Sequence, residues 1–368
     1  MQGRYPLGSG PTMNRMNREQ FFAKLAPLDE ERLRKALWTV YWRGTAKMRE
    51  RIEAEIDPDP TPRDRGVAAE PVDPHVVLAE VHDFVSLARS GAYMAGDRRV
   101  SPKERTRWRF TFRRLVADAR DALRAEELAP AAAAVEALID LACEVRGYDY
   151  FRSEDPVEAA KVVVSDEVAL LWSRMREHSG FPAFAEQAAP QLVRWESRFG
   201  WTRTGFDQVA QKESSLASVL ASMLQVRDAW MTFADHYLEA LDRVASGNAA
   251  KPTRSWRSPD RDRNERTEAL ADWHLLLLDR LIDDDTDNRV DRLTTHPALG
   301  GPELTFLQAW LAHRRGDVER ARDLIRESLT KLPGHDGFLA FATEIGAPLP
   351  PRAQQAVNDR ARMASGTA

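Results

Sequence analysis

The sequence has almost no cysteine. Its single cysteine, Cys143, excludes an internal disulfide framework and a zinc site built from several thiolates. A chain with one thiol fits a reducing compartment. Cys143 lies in the apolar stretch 138–143, and a nucleophilic thiolate would need a neighbouring base and an electropositive setting. We therefore expect Cys143 to be a small buried residue.

The sequence also lacks a long hydrophobic run. The longest uninterrupted aliphatic run is 275–278, far shorter than the ~20 residues that cross a bilayer. Residues 1–7 have no apolar core of the kind that a signal peptide carries. These absences predict a cytoplasmic protein without a membrane partner. Arginine far outnumbers lysine and alanine is abundant, which is typical of GC-rich bacterial genomes, so a single arginine carries little weight by itself.

Alternating strand patterns are almost absent, and helical periodicity takes their place. Apolar side chains recur three and four residues apart in segment after segment, as helices that face a core require. Four dipeptides place a capping side chain ahead of a first-turn residue: Asp73-Pro74, Ser101-Pro102, Asp155-Pro156 and Ser165-Asp166. We therefore predict an all-α fold, organised as a multi-helix bundle or a helical array.

Two polar stretches with several prolines divide the chain. Residues 57–73 are rich in proline and charge and cannot continue a helix, and residues 246–262 contain Pro252 and Pro259. The predicted organisation is a disordered leader or appended segment (1–16), a small N-terminal helical unit (17–56), a linker (57–73), a central helical bundle (74–245), a second linker (246–262), a C-terminal helical unit (263–345) and a frayed tail (346–368).

One segment near the C-terminus carries a family resemblance. From Phe306 to Pro333 the sequence reads FLQAWLAHRRGDVERARDLIRESLTKLP. The residues at characteristic spacings are Ala309, Gly316, Ala321, Ile325, Ser328 and Pro333. The segment resembles a tetratricopeptide hairpin, a pair of closely packed antiparallel helices. The residues that depart from that pattern are Thr305, Gln308 and Ala312. Since one hairpin cannot bury its own apolar face, the resemblance implies that adjacent helices stack against it.

Motifs for catalysis and for cofactor binding are missing as well. The sequence has no glycine-rich phosphate loop, no serine-nucleophile pattern and no histidine or cysteine set at metal-ligand spacing. We predict no catalytic residue, no metal and no cofactor. The acidic run with Asp283, Asp284 and Asp287 resembles the magnesium-diphosphate motif of class I terpene synthases and prenyltransferases. That resemblance implies metal-holding carboxylates at the mouth of a deep apolar cavity, but the second facing motif is missing. We expect a solvated turn and keep a diphosphate enzyme as a second alternative.

The most conspicuous local feature is a run of cations. Positions 98–114 hold eight basic residues and one acid. Ser101 and Glu104 have the spacing of a capping box, which starts a helix at Pro102. At about 100° per residue, the face that should pack on the core contains Trp108, Phe112, Leu115, Ala119 and Leu123.

The opposite face of this helix is cationic. The basic residues that point away from the predicted core are Lys103, Arg107 and Arg114. Phe110 lies among them, where a phenylalanine can anchor a partner or stack on a nucleic-acid base. Two interpretations remain open. The arginines can pair with local acids such as Asp97 and Asp118 while further helices bury Phe110, or the whole face can bind a partner.

The sequence therefore predicts a non-enzymatic macromolecular binding scaffold. The candidate binding residues are Arg98, Arg99, Lys103, Arg107, Phe110 and Arg114. The positive charge of the five basic residues in this set fits an acidic protein or peptide. Nucleic acid is the alternative partner, although a net charge of −4 argues against the broad positive surface that tight DNA binding needs.

Overall fold

The computed structural model describes residues 18–44, 48–49, 52, 72–94, 97–145, 147–199, 208–249, 258–283 and 287–365. Every regular element within these residues is an α-helix and none is a β-strand, so the predicted all-α class is confirmed. The chain forms two compact units, Met1–Arg65 and Gly66–Ala368, and their border falls inside the predicted linker 57–73. The predicted leader 1–16 lies outside the described residues.

The described helices range from 5 to 36 residues in length. The first unit contains α1 (Arg18–Leu25) and α2 (Glu30–Arg43). The second unit contains α3 (Pro74–Arg89), α4 (Pro102–Ala122), α5 (Leu128–Glu144), α6 (Pro156–Ala160), α7 (Val164–Phe199), α8 (Leu216–Met223), α9 (Arg227–Ala249), α10 (Pro259–Ala269), α11 (Ala271–Leu281), α12 (Arg289–Thr294), α13 (Gly301–Arg314), α14 (Val318–Lys331), α15 (Asp336–Glu344) and α16 (Pro351–Ser365). In the part of the chain that the structure describes, no helix has both the length and the apolar composition that a membrane crossing requires.

Capping residues set several helix starts. Three of the predicted caps accept a hydrogen bond from a backbone N–H of the helix that they precede: Asp73 before α3, Ser101 before α4 and Asp155 before α6. The fourth prediction is wrong, because α7 already begins at Val164. The carboxylate of Glu213 accepts hydrogen bonds from the backbone N atoms of Val164 and Ser165, at 2.7 and 2.8 Å. A side chain from a distant segment therefore caps α7.

Helix α7 is broken at Gly180. Its φ of 77° and ψ of 172° are not helical, and a positive φ of this kind is accessible to glycine but strained for other residues. Trp172 before the break packs edge-on against Phe184 after it, with ring centroids 6.4 Å apart. The indole Nε1 of Trp172 donates to the amide oxygen of Gln191 at 2.7 Å. Side chains from both halves of α7 are therefore buried in the same core.

One core cluster extends through most of the second unit, from Val77 on α3 to Leu311 on α13. It includes residues on both sides of the predicted linker 246–262, so helices before and after that linker share one hydrophobic core. The ends of that predicted linker are helical, since α9 continues to Ala249 and α10 begins at Pro259. The residues between these two helices lie outside the described part of the chain.

Helices α13 and α14 form a hairpin in the segment with the tetratricopeptide resemblance. They pack against each other and are joined by a short turn in which Gly316 has a φ of 84°. Phe338 of α15 joins the apolar face of the hairpin in a second core cluster, so adjacent helices stack on the hairpin as expected. The side chain of Gln308 donates to the carbonyl of Thr294 at 2.8 Å, which accounts for a polar residue at that position. The resemblance of this hairpin to a tetratricopeptide repeat stays a prediction.

The predicted frayed tail (346–368) is wrong for residues 351–365, which form α16. Ala353 is fully buried in the second core cluster. Arg360 forms an ion pair with the first residue of α15. Pro351 is the first residue of α16, and a proline in the first helical turn favours the helix that follows it.

Glu303, in the first turn of α13, is a buried acid. Its side chain is 5% exposed, and its Oε1 lies 3.1 Å from Nε2 of His335, the residue that caps α15. Burial, followed by the negative charges of Glu268 and Asp272, raises the pKa of this carboxyl to about 7. The folded chain therefore keeps a proton on Glu303 at pH values at which the unfolded chain has released it.

We expect the substitution Glu303→Gln to flatten the pH dependence of stability. Because the pKa of Glu303 is raised from 4.5 to about 7, its contribution to stability is present below 4.5 and is lost as the pH rises through about 7. The loss is about 3 kcal/mol in the free energy of unfolding. Glutamine stays neutral and can still accept a hydrogen bond from His335. Urea unfolding at about pH 5 and about pH 8 measures the difference.

Glu319→Gln is the matched control, because Glu319 lies on α14 and its side chain is 84% exposed. This control should keep the pH dependence of the wild type. An equal change in the free energy of unfolding between about pH 5 and about pH 8 in the wild type and in Glu303→Gln would contradict the prediction.

Candidate binding surface

Helix α4 begins with a complete capping box. The hydroxyl of Ser101 accepts a hydrogen bond from the backbone N of Glu104 at 3.3 Å, and the Glu104 carboxylate accepts one from the backbone N of Ser101 at 3.1 Å. Pro102 occupies the first turn. Two backbone donors are satisfied in this way, so α4 is held firmly from its first turn and its predicted start is confirmed.

The inner face of α4 is the predicted one. All five residues assigned to the core are buried: Trp108, Phe112, Leu115, Ala119 and Leu123. The ring of Trp108 stacks on Phe151 with centroids 4.1 Å apart, and Phe112 lies 5.8 Å from Phe84 of α3. These contacts fix the rotation of α4 about its axis, so the side chains on its other side face away from the core.

Three of the predicted cations are exposed and uncompensated. Arg98 precedes the helix, and Lys103 and Arg107 lie one turn apart on it. All three are exposed, and none of their side chains forms a hydrogen bond or an ion pair with a residue that the structure describes. Their charges therefore face solvent.

Two other predicted cations are held by acids. Nη2 of Arg99 lies 2.6 Å from Oδ2 of Asp97, and hydrogen bonds from Arg99 lower the pKa of Asp97 to about 2. Arg114 lies 2.8 Å from Asp118 on its own helix and 2.8 Å from Glu80 on α3. The local pairing that the sequence left open is thus present for these two arginines, and they add less net positive charge to the surface.

Phe110 is partly buried on the outer face of α4. The guanidinium carbon of Arg109 lies 4.7 Å from its ring centroid, and that of Arg113 lies 5.9 Å from it. Arg113 donates from Nε to the carbonyl of Ala160 at 3.1 Å, and Arg109 is only 6% exposed. Both cations are therefore packed against the protein, and part of the Phe110 ring remains accessible beside them.

The sequence prediction did not include Arg109 and Arg113 among the candidate residues. Arg113 lies three residues after Phe110, a spacing at which side chains on a helix meet, so its position held a signal. Arg109 directly precedes Phe110, and adjacent positions on a helix do not face each other, so helical spacing did not indicate this contact. Arg105 also points inward and donates to the carbonyl of Met94 at 3.2 Å. Of the eight basic residues in 98–114, three pack inward, two pair with acids and three remain uncompensated.

Of the three aspartates named in the acidic run after α11, the structure describes Asp283 and Asp287. Asp283 and Asp287 are exposed, and Asp287 lies 2.7 Å from the guanidinium of Arg289. Asp284 lies outside the described residues. Among the residues that are described, no three His, Cys, Asp or Glu side chains are placed to hold a metal ion. The expected solvated turn fits Asp283 and Asp287 better than the mouth of an apolar cavity.

A small cavity lies on the inner side of α4. Its volume is about 10 Å³, which is room for one water molecule. Its lining residues are Phe112, Val116, Ala119, Val135, Leu138, Ile139, Ala142, Val162, Val164 and Glu167. Glu167 forms an ion pair with Arg120. Cys143, on the neighbouring helix, is buried as expected, and burial raises the pKa of its thiol. This region has the features of a core and not of a substrate site.

We expect alanine substitutions to separate the paired cations from the uncompensated ones. Arg114→Ala removes two half-exposed ion pairs and should lower the free energy of unfolding by about 1 kcal/mol. Arg107→Ala removes no described interaction and should change it by less than about 0.5 kcal/mol. Urea unfolding followed by circular dichroism measures both values. A loss in Arg107→Ala as large as that in Arg114→Ala would show that Arg107 has a structural role.

Comparison with known proteins assigns no family to the chain. No protein-family model, no curated protein and no solved structure matches it.

Proposed function

We propose that this chain is a non-enzymatic binding scaffold that takes an acidic protein or peptide on the outer face of α4. The observation that carries the proposal is the uncompensated charge of Arg98, Lys103 and Arg107 next to a partly exposed aromatic ring. Uncompensated cations on a rigid helix attract carboxylates over several ångströms and suppress the approach of other cations.

The accessible part of Phe110 supports a protein or peptide partner. Interfaces draw most of their affinity from a few aromatic and arginine side chains, which are surrounded by weaker polar contacts. Phe110, held beside Arg109 and Arg113, has this composition. The surrounding cations would act mainly on the rate of association and on specificity, whereas the ring would act mainly on the rate of dissociation.

The balance of charge disfavours nucleic acid. Affinity for a phosphate backbone grows with the number of cations that contact it, and a duplex binder needs a broad positive surface. On this face Asp97, Asp118 and Glu80 already neutralise two of the arginines. Three uncompensated cations would give weak binding with a shallow dependence on salt.

We expect the full chain to bind a labelled peptide that is rich in glutamate and aspartate and contains apolar residues, as measured by fluorescence anisotropy. The double substitution Lys103→Glu with Arg107→Glu should weaken the affinity by at least about tenfold, because attraction becomes repulsion. Phe110→Ala should raise the dissociation rate more than it lowers the association rate. Higher salt should weaken binding by the wild type.

The matched control is Lys212→Glu with Arg320→Glu, two exposed cations of the same unit that lie outside α4. This control makes the same change in net charge and should bind like the wild type. Equal binding by both double variants would refute the role of the α4 surface. Tighter binding to an oligonucleotide than to the peptide, lost in Lys103→Glu with Arg107→Glu, would replace the proposal with nucleic-acid binding.

A further inference from the structure

Helix α2 in the first unit is unusual because it buries none of its residues. Four of its large apolar side chains are well exposed: Leu37 at 43%, Trp38 at 58%, Val40 at 48% and Trp42 at 71%. Singly exposed apolar residues are ordinary, but a contiguous group of this size marks a surface that contacts another protein or a membrane.

The apolar residues form one wide sector of the helix. At about 100° per residue, the apolar residues run in order through Val40, Leu33, Leu37, Tyr41, Trp38 and Trp42, a width of roughly 200°. Glu30, Glu31 and Arg34 near the start of α2 fall within the same angles, so the sector is free of charge from Ala36 to the end of the helix. The rings within it are ordered, since Trp38 stacks on Tyr41 at 5.5 Å and on Trp42 at 5.7 Å between centroids. The remaining sector contains Arg32, Lys35, Thr39 and Arg43.

Charge is distributed unevenly along α2. Its two acids, Glu30 and Glu31, lie in the first turn and pair with Arg34 at 2.6 Å and Lys35 at 2.8 Å. No acidic residue occurs from position 32 to the end of the helix. Arg32 lies 3.9 Å from Asp29, the residue that precedes the helix. The last two turns of α2 therefore combine the exposed tryptophans with one cation, Arg43, which no described acid pairs.

We propose that α2 binds in the plane of an anionic phospholipid surface. A helix with a broad apolar sector, low overall hydrophobicity and a basic polar face has the features of an interfacial helix. Tryptophan favours the level of the lipid headgroups, and lysine and arginine approach the anionic phosphates. The 14 residues of α2 span about 21 Å, less than the ~30 Å of a hydrocarbon core, so the helix lies along the surface.

The width of the apolar sector favours a lipid surface over a second copy of the chain. The α2 helix of a second copy would pack along the narrow stripe formed by Leu33, Leu37 and Val40, as in a coiled coil. That arrangement would leave Trp38 and Trp42 in water, because they lie to one side of the stripe. A lipid interface covers about half of the helix circumference and accommodates all of these side chains.

This inference is independent of the binding proposed for α4, because it concerns only the first unit. It goes beyond the expectation from the sequence, where the absence of a long apolar run suggested that the chain has no membrane partner. A run of that length is needed to cross a bilayer but not to lie on its surface.

The test is co-sedimentation of the full chain with phosphatidylcholine vesicles and with vesicles that also contain phosphatidylglycerol. We expect binding to the anionic vesicles, with little binding to the neutral ones. Trp38→Ser with Trp42→Ser should weaken this binding by at least about tenfold. Lys35→Glu with Arg43→Glu should remove the preference for anionic lipid, and added salt should weaken binding by the wild type.

Val76→Ser with Val226→Ser is the matched control, because these exposed apolar residues lie in the second unit. This control should bind vesicles like the wild type. Since Trp38 and Trp42 are exposed, their variant should keep the circular dichroism spectrum of the wild type.

Three results would overturn the inference. The first is failure of the wild type to sediment with anionic vesicles, and the second is equal vesicle binding by the wild type and the tryptophan variant. The third is a wild type that does not bind vesicles but forms a dimer in light scattering, and that Leu37→Ser with Val40→Ser converts to a monomer. The last result would assign α2 to contact between copies of the chain.

Discussion

Burial of Trp108 and Phe112 is the constraint on which the α4 surface depends. Removing a large apolar side chain from water stabilises a fold by about 2–3 kcal/mol, whereas an exposed ion pair contributes about 1 kcal/mol at most. A rotation of α4 that brought Arg107 to an acid would move these rings toward solvent and would cost more than it gained. The packing of the core therefore determines in which direction the outer cations point, and ion pairing of these cations does not determine it.

Local rules made the start and the inner face of α4 predictable. The capping box lies within four residues, and the stripe from Trp108 to Leu123 follows the helical period. The contacts that could not be predicted join residues far apart in sequence. Arg114 meets Glu80 across 34 positions, and this long-range contact neutralises part of the basic surface. No periodic pattern encodes such pairs, because they depend on how helices pack.

The wrong helix boundaries have a similar cause. Ser165 was expected to cap α7, but the carboxylate of Glu213 reaches the free N–H groups from 49 positions away and makes an earlier start possible. In α16, Pro351 stands at the first helical position, where it lacks only a donor that the helix leaves unused, so it starts the helix and does not break it. Burial of Ala353 then stabilises α16 against the hairpin, which is a tertiary effect.

Helices α2 and α4 both combine cations with aromatic rings, yet they suit different partners. In α4 the apolar stripe is already covered by the core, so charged side chains and the partly buried Phe110 remain for a partner. Such a surface favours acidic groups in water. In α2 the stripe itself is open, so a partner must supply an apolar medium as well as negative charge. The chemistry of the partner proposed for each helix therefore follows from whether the fold has covered the apolar side of that helix, and counting basic residues alone would treat both helices as equivalent.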